Sequence, residues 1–259
     1  MLVSWGEGVL VSLGNAMIYD VHCHLHEFND RDVEGLLEAD RGLRVIAVSD
    51  DLESSLRTVE LERSYPDRVV ACVGLHPWSI GEEPLHNVEM IVRLAEREGV
   101  RCIGEVGLDA RFLPQHTWHM QVRVFRRFIE LSLDLGAFLN IHAPDAWRAV
   151  VGELLQYNVE KAVFHWYTGP VELVDVIGGR GYRISINPAI KIQEKHARIA
   201  QVTPVDYMVF ESDAPYNYRG LTLNPLMVRE TLNIVARLKN IDVNELVDKA
   251  RWNTEKLLV

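Results

Sequence analysis

Apolar and polar positions along this chain fall into two alternating patterns. Short runs rich in β-branched residues carry the period of a strand, and longer stretches repeat their apolar positions every three or four residues, as an amphipathic helix does. Eight runs predict strands: Met17 to His22, Leu43 to Val48, Val69 to Gly74, Val100 to Glu105, Phe138 to His142, Ala162 to His165, Tyr182 to Ile186 and Tyr207 to Glu211. Helical patterns separate and follow them, at Leu52 to Ser64, Val88 to Glu98, His116 to Leu135, Ala146 to Gln156, Val171 to Ile177, Ile190 to Gln201, Leu226 to Leu238 and Val243 to Leu257. Short apolar strands separated by helices call for a parallel sheet covered on both faces. Eight such units with no linker between them predict an α/β protein whose sheet closes into a (β/α)8 TIM barrel over residues 17–259.

Residues 1–16 stand outside this alternation. They are apolar, interrupted by glycine, and lack the basic region that opens a secretory signal. Met17 directly precedes the first strand, so residues 1–16 read as a dispensable N-terminal extension. Composition changes the picture little: 48% hydrophobic and 25% charged residues among 259 supply an ordinary globular core. The net charge of -10 argues against a broadly basic surface that coats nucleic acid, although metal ions would reset the field of a small site. No apolar run is long enough to span a bilayer. Cys23, Cys72 and Cys102 lack any paired spacing and sit in apolar runs, which predicts buried free thiols and a cytoplasmic location.

The chemistry concentrates where the strands end. His22 and His24 alternate with Val21, Cys23 and Leu25, so a regular strand puts both imidazoles on one face, where they can chelate a divalent cation. The alternative is a pair of separately hydrogen-bonded histidines. Strand 3 is followed by Gly74-Leu75-His76-Pro77, and strand 4 runs into Gly104-Glu105-Val106-Gly107-Leu108-Asp109. Strand 5 ends in Ile141-His142, strand 6 in His165-Trp166-Tyr167-Thr168-Gly169, and strand 8 in Glu211-Ser212-Asp213-Ala214-Pro215-Tyr216. The reactive groups of such barrels come from these C-terminal strand ends. Five of the ten histidines fall there, together with Glu105 and Asp213.

In these motifs, in this order, the chain resembles the TatD-type metal-dependent hydrolases, a nuclease branch of the amidohydrolase-like barrels, from about Met17 to the C-terminus. The resemblance implies two divalent ions, magnesium, manganese or zinc. His22, His24, Glu105 and Asp213 would hold the first, and Glu105, His142 and His165 the second, with Glu105 bridging. Two ions about 3.5 to 4 Å apart can stabilise both the entering and the leaving oxygen of a phosphodiester. Asp213 would then act as the general base. His76, Trp166, Tyr167 and Arg219 are expected to contact substrate, and Asp20 and Glu211 to orient ligands from the same faces as His22 and Asp213. Trp78, Trp147, Tyr216 and Tyr218 are further aromatics near this rim.

Departures from the family's pattern touch that rim and no expected ligand. His26 stands where an aspartate is usual, Ala143-Pro144 replace serine-arginine, Trp166-Tyr167 replace smaller residues, and Asn224-Pro225 are adjacent. The implied activity is hydrolysis of DNA at single-stranded or frayed ends. A lactone, ester or amide of a small molecule is the alternative substrate, although enzymes of that kind commonly carry a carboxylated lysine where Glu105 stands.

Overall fold

A computed structural model describes residues 11–81 and 84–259. Eight strands, each neighbouring the next in sequence, form one parallel sheet: β1 (Ile18–Cys23), β2 (Leu43–Ala47), β3 (Val69–Val73), β4 (Cys102–Gly107), β5 (Phe138–His142), β6 (Ala162–Phe164), β7 (Arg183–Ile186) and β8 (Met208–Phe210). Eight helices follow the predicted patterns closely. They are α2 (Leu52–Ser64), α3 (Pro84–Glu98), α4 (Trp118–Leu135), α5 (Trp147–Gln156), α6 (Val174–Gly179), α7 (Glu194–Val202), α8 (Val228–Lys239) and α9 (Val243–Glu255).

Two elements lie outside the predicted pattern. Helix α1 (Asp30–Ala39) buries only Val33 and Leu37, too thin an apolar stripe to stand out in so charged a stretch. Its start is nonetheless written in the sequence, because the Asn29 side chain accepts the backbone N–H of Asp32 as an N-cap. A two-stranded ribbon, β9 (Asn217–Tyr218) and β10 (Leu221–Thr222), rises from the loop after β8.

Alternation along the strands builds two apolar layers. Ile46, Val70, Cys72, Cys102, Phe138, Val163 and Val209 fill the barrel, whereas Val45, Ala71, Ile103, Leu139, Ile141 and Phe164 face the helices. The barrel closes between β1 and β8 just beyond the last residue of β8: the Asp213 N–H donates to His22 O at 2.9 Å and the His24 N–H to Ala214 O at 2.8 Å. The seam is therefore made by the same short segments that carry three of the expected ligands.

Three expectations change here. Cys72 and Cys102 are not free thiols. They are directly opposed in the parallel register of β3 and β4, both facing inward with Cα atoms 4.4 Å apart, and form a disulfide. Only Cys23 is a buried free thiol. The cysteine argument for a reducing compartment thus no longer supports a cytoplasmic location. Asp20 is the second: the register shifts between Asp20 and Cys23, which puts Val21 in the inner layer and takes Asp20 off the face of His22. The buried Asp20 carboxylate, its pKa raised by burial to about 7, accepts the backbone N–H groups of His22 and Ser212 and so ties β1 to the end of β8. Among the described residues no helix is long and apolar enough to cross a membrane.

The third change concerns the boundary at Met17. Contacts run back past it, since Val11 exchanges backbone hydrogen bonds with the Asn233 side chain and Leu13, 8% exposed, joins the core. The rest of the extension, residues 1–10, lies outside the described residues. A chain beginning at Met17 is expected to lose about 2 kcal/mol, the burial of one leucine, and to melt several degrees lower than the full chain. An unchanged melting temperature by calorimetry would return residues 11–16 to the dispensable class.

Candidate metal centre

The Gly104 to Asp109 segment shows why this site needs its glycines. A Cβ on Gly104 would lie 2.6 Å from Asn140 Cβ, and one on Gly107, whose φ is +150°, would lie 1.9 Å from His142 O. Glycine at both positions lets β4 press against β5, and the register shift between Ile103 and Val106 turns Glu105 into the barrel mouth. The Glu105 side chain is 2% exposed and is surrounded by imidazoles. Its Oε2 lies 3.3 Å from His22 Nε2 and 3.5 Å from His24 Nε2. Its Oε1 lies 2.8 Å from His142 Nδ1, 3.4 Å from His165 Nε2 and 3.5 Å from His76 Nε2. One carboxylate thus divides its two oxygens between two groups of histidines.

Asp213 joins the first group, with Oδ1 3.4 Å from both His22 Nε2 and His24 Nε2. It holds a left-handed φ of 56°, a conformation costing a non-glycine residue about 1 to 3 kcal/mol that surrounding structure must hold in place. His165 belongs to both groups: its ring stacks on His22 with centroids 3.8 Å apart, and it lies within ligand reach of Asp213 as well as Glu105.

Buried partners set which nitrogen of each ring faces the centre. The Asn140 Nδ2 donates to Val21 O, so its Oδ1 is the atom 2.8 Å from His22 Nδ1. His22 therefore donates from Nδ1 and turns Nε2 inward. The Asp109 carboxylate, 2.9 Å from His142 Nε2, accepts from that nitrogen and leaves His142 Nδ1 facing Glu105. Asp109 is itself fixed by N–H donors from Trp78, Arg111 and Phe112. Glu211 lies 3.3 Å from His165 Nδ1 without hydrogen-bonding it, and accepts the Trp166 N–H.

His76 behaves differently. Its Nδ1 accepts the backbone N–H of Trp78 at 3.1 Å, so the proton of the neutral ring sits on Nε2, which points at the centre. Burial lowers the His76 pKa, which keeps the ring neutral. It therefore presents an N–H donor even when neutral, whereas His22 and His142, held from behind by Asn140 and Asp109, turn toward Glu105 the nitrogen that could bind a cation once its proton is lost.

The electrostatics fit a cluster able to hold a cation. Among the described residues the only bases within ion-pair distance of Glu105 or Asp213 are imidazoles, with no lysine or arginine. Burial opposes charge on Glu105, Asp213, His22 and His24, and mutual attraction overrides it. The surrounding histidines hold Glu105 well below the usual carboxylate range, and His22 and His24 do the same for Asp213. Glu105 and Asp213 hold His22 well above its ordinary value, while Asp213 and Asp50 push His24 up to about 10. Protons on these rings thus occupy the place of positive charge that a divalent ion would take.

The mouth is a cavity of about 480 Å³ above Glu105 and Asp213. Trp78 and Phe112, ring centroids 5.5 Å apart, form one wall; Trp166 with Tyr216 and Tyr218 forms another. Two expected substrate contacts lie elsewhere. Tyr167 is fully buried, donates its hydroxyl to Pro170 O and packs edge-on to Trp147, so it belongs to the core. Arg219 sits at the exposed tip of the β9–β10 ribbon, its guanidinium 5.2 Å from the Tyr218 ring and away from the cavity lining. The structure also adds groups that sequence reading passed over. Asp50 faces His24 Nδ1 at 3.3 Å and His26 Nε2 at 3.1 Å, and these three with Glu27 form a further cluster able to hold a cation. Asp50, Asp109 and Asn140 lie far from their partners in the chain, and of the three only Asp109, inside the strand 4 motif, carried a sequence signal.

Known proteins agree with this architecture. An uncharacterized metal-dependent hydrolase of Methanocaldococcus jannaschii is 28% identical over 244 residues, covering 92% of this chain and 95% of the relative. Another, from Escherichia coli K12, is 30% identical over 257 residues, covering 93% and 95%. The crystal structure of YJJV, a TatD homolog from Escherichia coli K12, superposes with a TM-score of 0.84 at 21% identity, covering 93% of this chain and 97% of that one. The family model described as TatD related DNase matches residues 19–259, and the chain therefore belongs to that family of metal-dependent hydrolases.

Proposed function

We propose that this hydrolase is a deoxyribonuclease that cleaves phosphodiester bonds at single-stranded or frayed DNA ends, using a two-metal centre. The observation that carries the reading is the division of the Glu105 oxygens between His22 and His24 on one side and His142, His165 and His76 on the other. That arrangement fits a carboxylate bridging two cations. His22, His24, Asp213 and Oε2 would hold one, and His142, His165 and Oε1 the other. When bound, such ions supply Lewis acidity that acidifies a water and stabilises the entering and leaving oxygens of the phosphodiester.

The chain's own residues do the rest. Asp213, held ionised by His22 and His24, accepts the proton of the attacking water. His76 donates its Nε2 proton in a hydrogen bond to a phosphate oxygen seated above the centre. Asp109 and Asn140 keep the imidazoles of His142 and His22 aimed throughout. Trp166, with Tyr218 at 5.0 Å, and the half-exposed Trp78 offer faces on which nucleobases stack, at about 1 to 3 kcal/mol per base.

Two outcomes are expected. With magnesium, manganese or zinc, the protein should release nucleotides from end-labelled single-stranded DNA, and Asp213→Asn should lower the rate by about 10² to 10⁴, the range of general acid–base catalysis, without losing the fold. Retained turnover would remove Asp213 from that role, and no release with any metal beside hydrolysis of an ester or lactone would favour the small-molecule substrate. Second, because His22 and His24 are held protonated near neutral pH, loading the metal-free protein at pH 7 should release protons. The heat of zinc binding should then vary with the ionisation enthalpy of the buffer, and a buffer-independent heat would contradict the protonation pattern.

A further inference from the structure

A second cavity, of about 740 Å³, adjoins the metal centre and is larger than the mouth itself. The two share Trp147 and Thr168 in their linings, so the second cavity lies on the other side of these two residues from the mouth. Its charges do not cancel. Asp145 is neutralised by a two-point ion pair with Arg111, at 2.9 and 2.8 Å, and Glu172 pairs with Arg148. Lys195 and Arg198 remain, both exposed and in no ion pair among the described residues, although Lys195 lies near enough to Asp145 to help keep that carboxylate ionised. They stand three apart on α7, so both side chains lie on one helix face, and both line the cavity. In a chain of net charge -10, two such cations beside a phosphodiesterase-like centre are an attractive path for a polyanion.

Resting on the nuclease reading, we infer that this groove is a track for the sugar-phosphate backbone of the single strand beyond the scissile bond, with Lys195 and Arg198 each meeting a phosphate. The partly buried Trp118 in the same wall gives a base beside that backbone an apolar surface. The track makes the preferred substrate an oligonucleotide in place of a dinucleotide, and adds affinity without touching the reacting atoms.

The test compares the metal-loaded wild type with the double variant Lys195→Glu, Arg198→Glu, on oligo(dT) of twelve nucleotides and on bis(p-nitrophenyl) phosphate, which is too short to leave the centre. A second variant, Lys249→Glu on α9 with Lys256→Glu at the cap just past its end, makes the same change in net charge outside both cavities. Reversal in the groove is expected to raise KM for the oligonucleotide at least tenfold, with kcat little changed and bis(p-nitrophenyl) phosphate hydrolysis reporting an intact centre. It should also flatten the plot of log affinity against log salt by about 1.4, at about 0.7 per single-strand phosphate contact. Equal KM values for the wild type and the groove variant, or an equal rise in the α9 variant, would overturn the track while leaving the nuclease reading intact. If neither substrate is hydrolysed, the nuclease reading fails, and fluorescence anisotropy of labelled oligo(dT) still decides the groove: binding lost only in its variant supports the track, and no binding overturns it.

Discussion

The structure depends on one buried carboxylate. An ionised glutamate deep in a barrel mouth is tolerated only if positive charge surrounds it. Here five imidazoles from the ends of β1, β3, β5 and β6 surround it, those of His22 and His24 carrying positive charge, and among the described residues no lysine or arginine lies within ion-pair distance. Each imidazole must reach the same point from a different strand, which a closed parallel barrel accomplishes because all its strands end on one face. The glycines at 104 and 107, the register shifts in β1 and β4, and the β1–β8 seam through His22 and Asp213 all serve that convergence.

A carboxylate held this way can exchange protons on its neighbours for divalent ions without rebuilding the site. Asn140 and Asp109 fix the rings of His22 and His142 from behind, so these two stay aimed whichever charge occupies the centre. His76 stands apart, because its neutral ring turns a donor toward the same space.

Much of this was legible in the sequence because strand periodicity and strand-end chemistry are local signals. The eight runs, their order, and the residues His22, His24, Glu105, His142, His165 and Asp213 needed no knowledge of long-range contacts to be singled out. What escaped depends on contacts that sequence neighbours do not reveal. The disulfide needs Cys72 and Cys102 to face each other across two strands, and the core position of Tyr167 needs Trp147 beside it. Asp20 could not be placed while strand 1 was read as regular, because a single register shift reassigns the faces of the residues around it. Helix α1 was missed because its apolar stripe is only two residues wide. Departures such as Trp166 fall on the rim, where packing and recognition draw on the same aromatic residues.

The division of Glu105 between two sets of histidines is tested most directly by anomalous diffraction from crystals grown with manganese. The account predicts two anomalous peaks, one on each side of Glu105, the first within bonding distance of His22, His24 and Asp213 and the second within bonding distance of His142 and His165. A single peak, or a pair that leaves Glu105 coordinated through one oxygen to one ion, would contradict it.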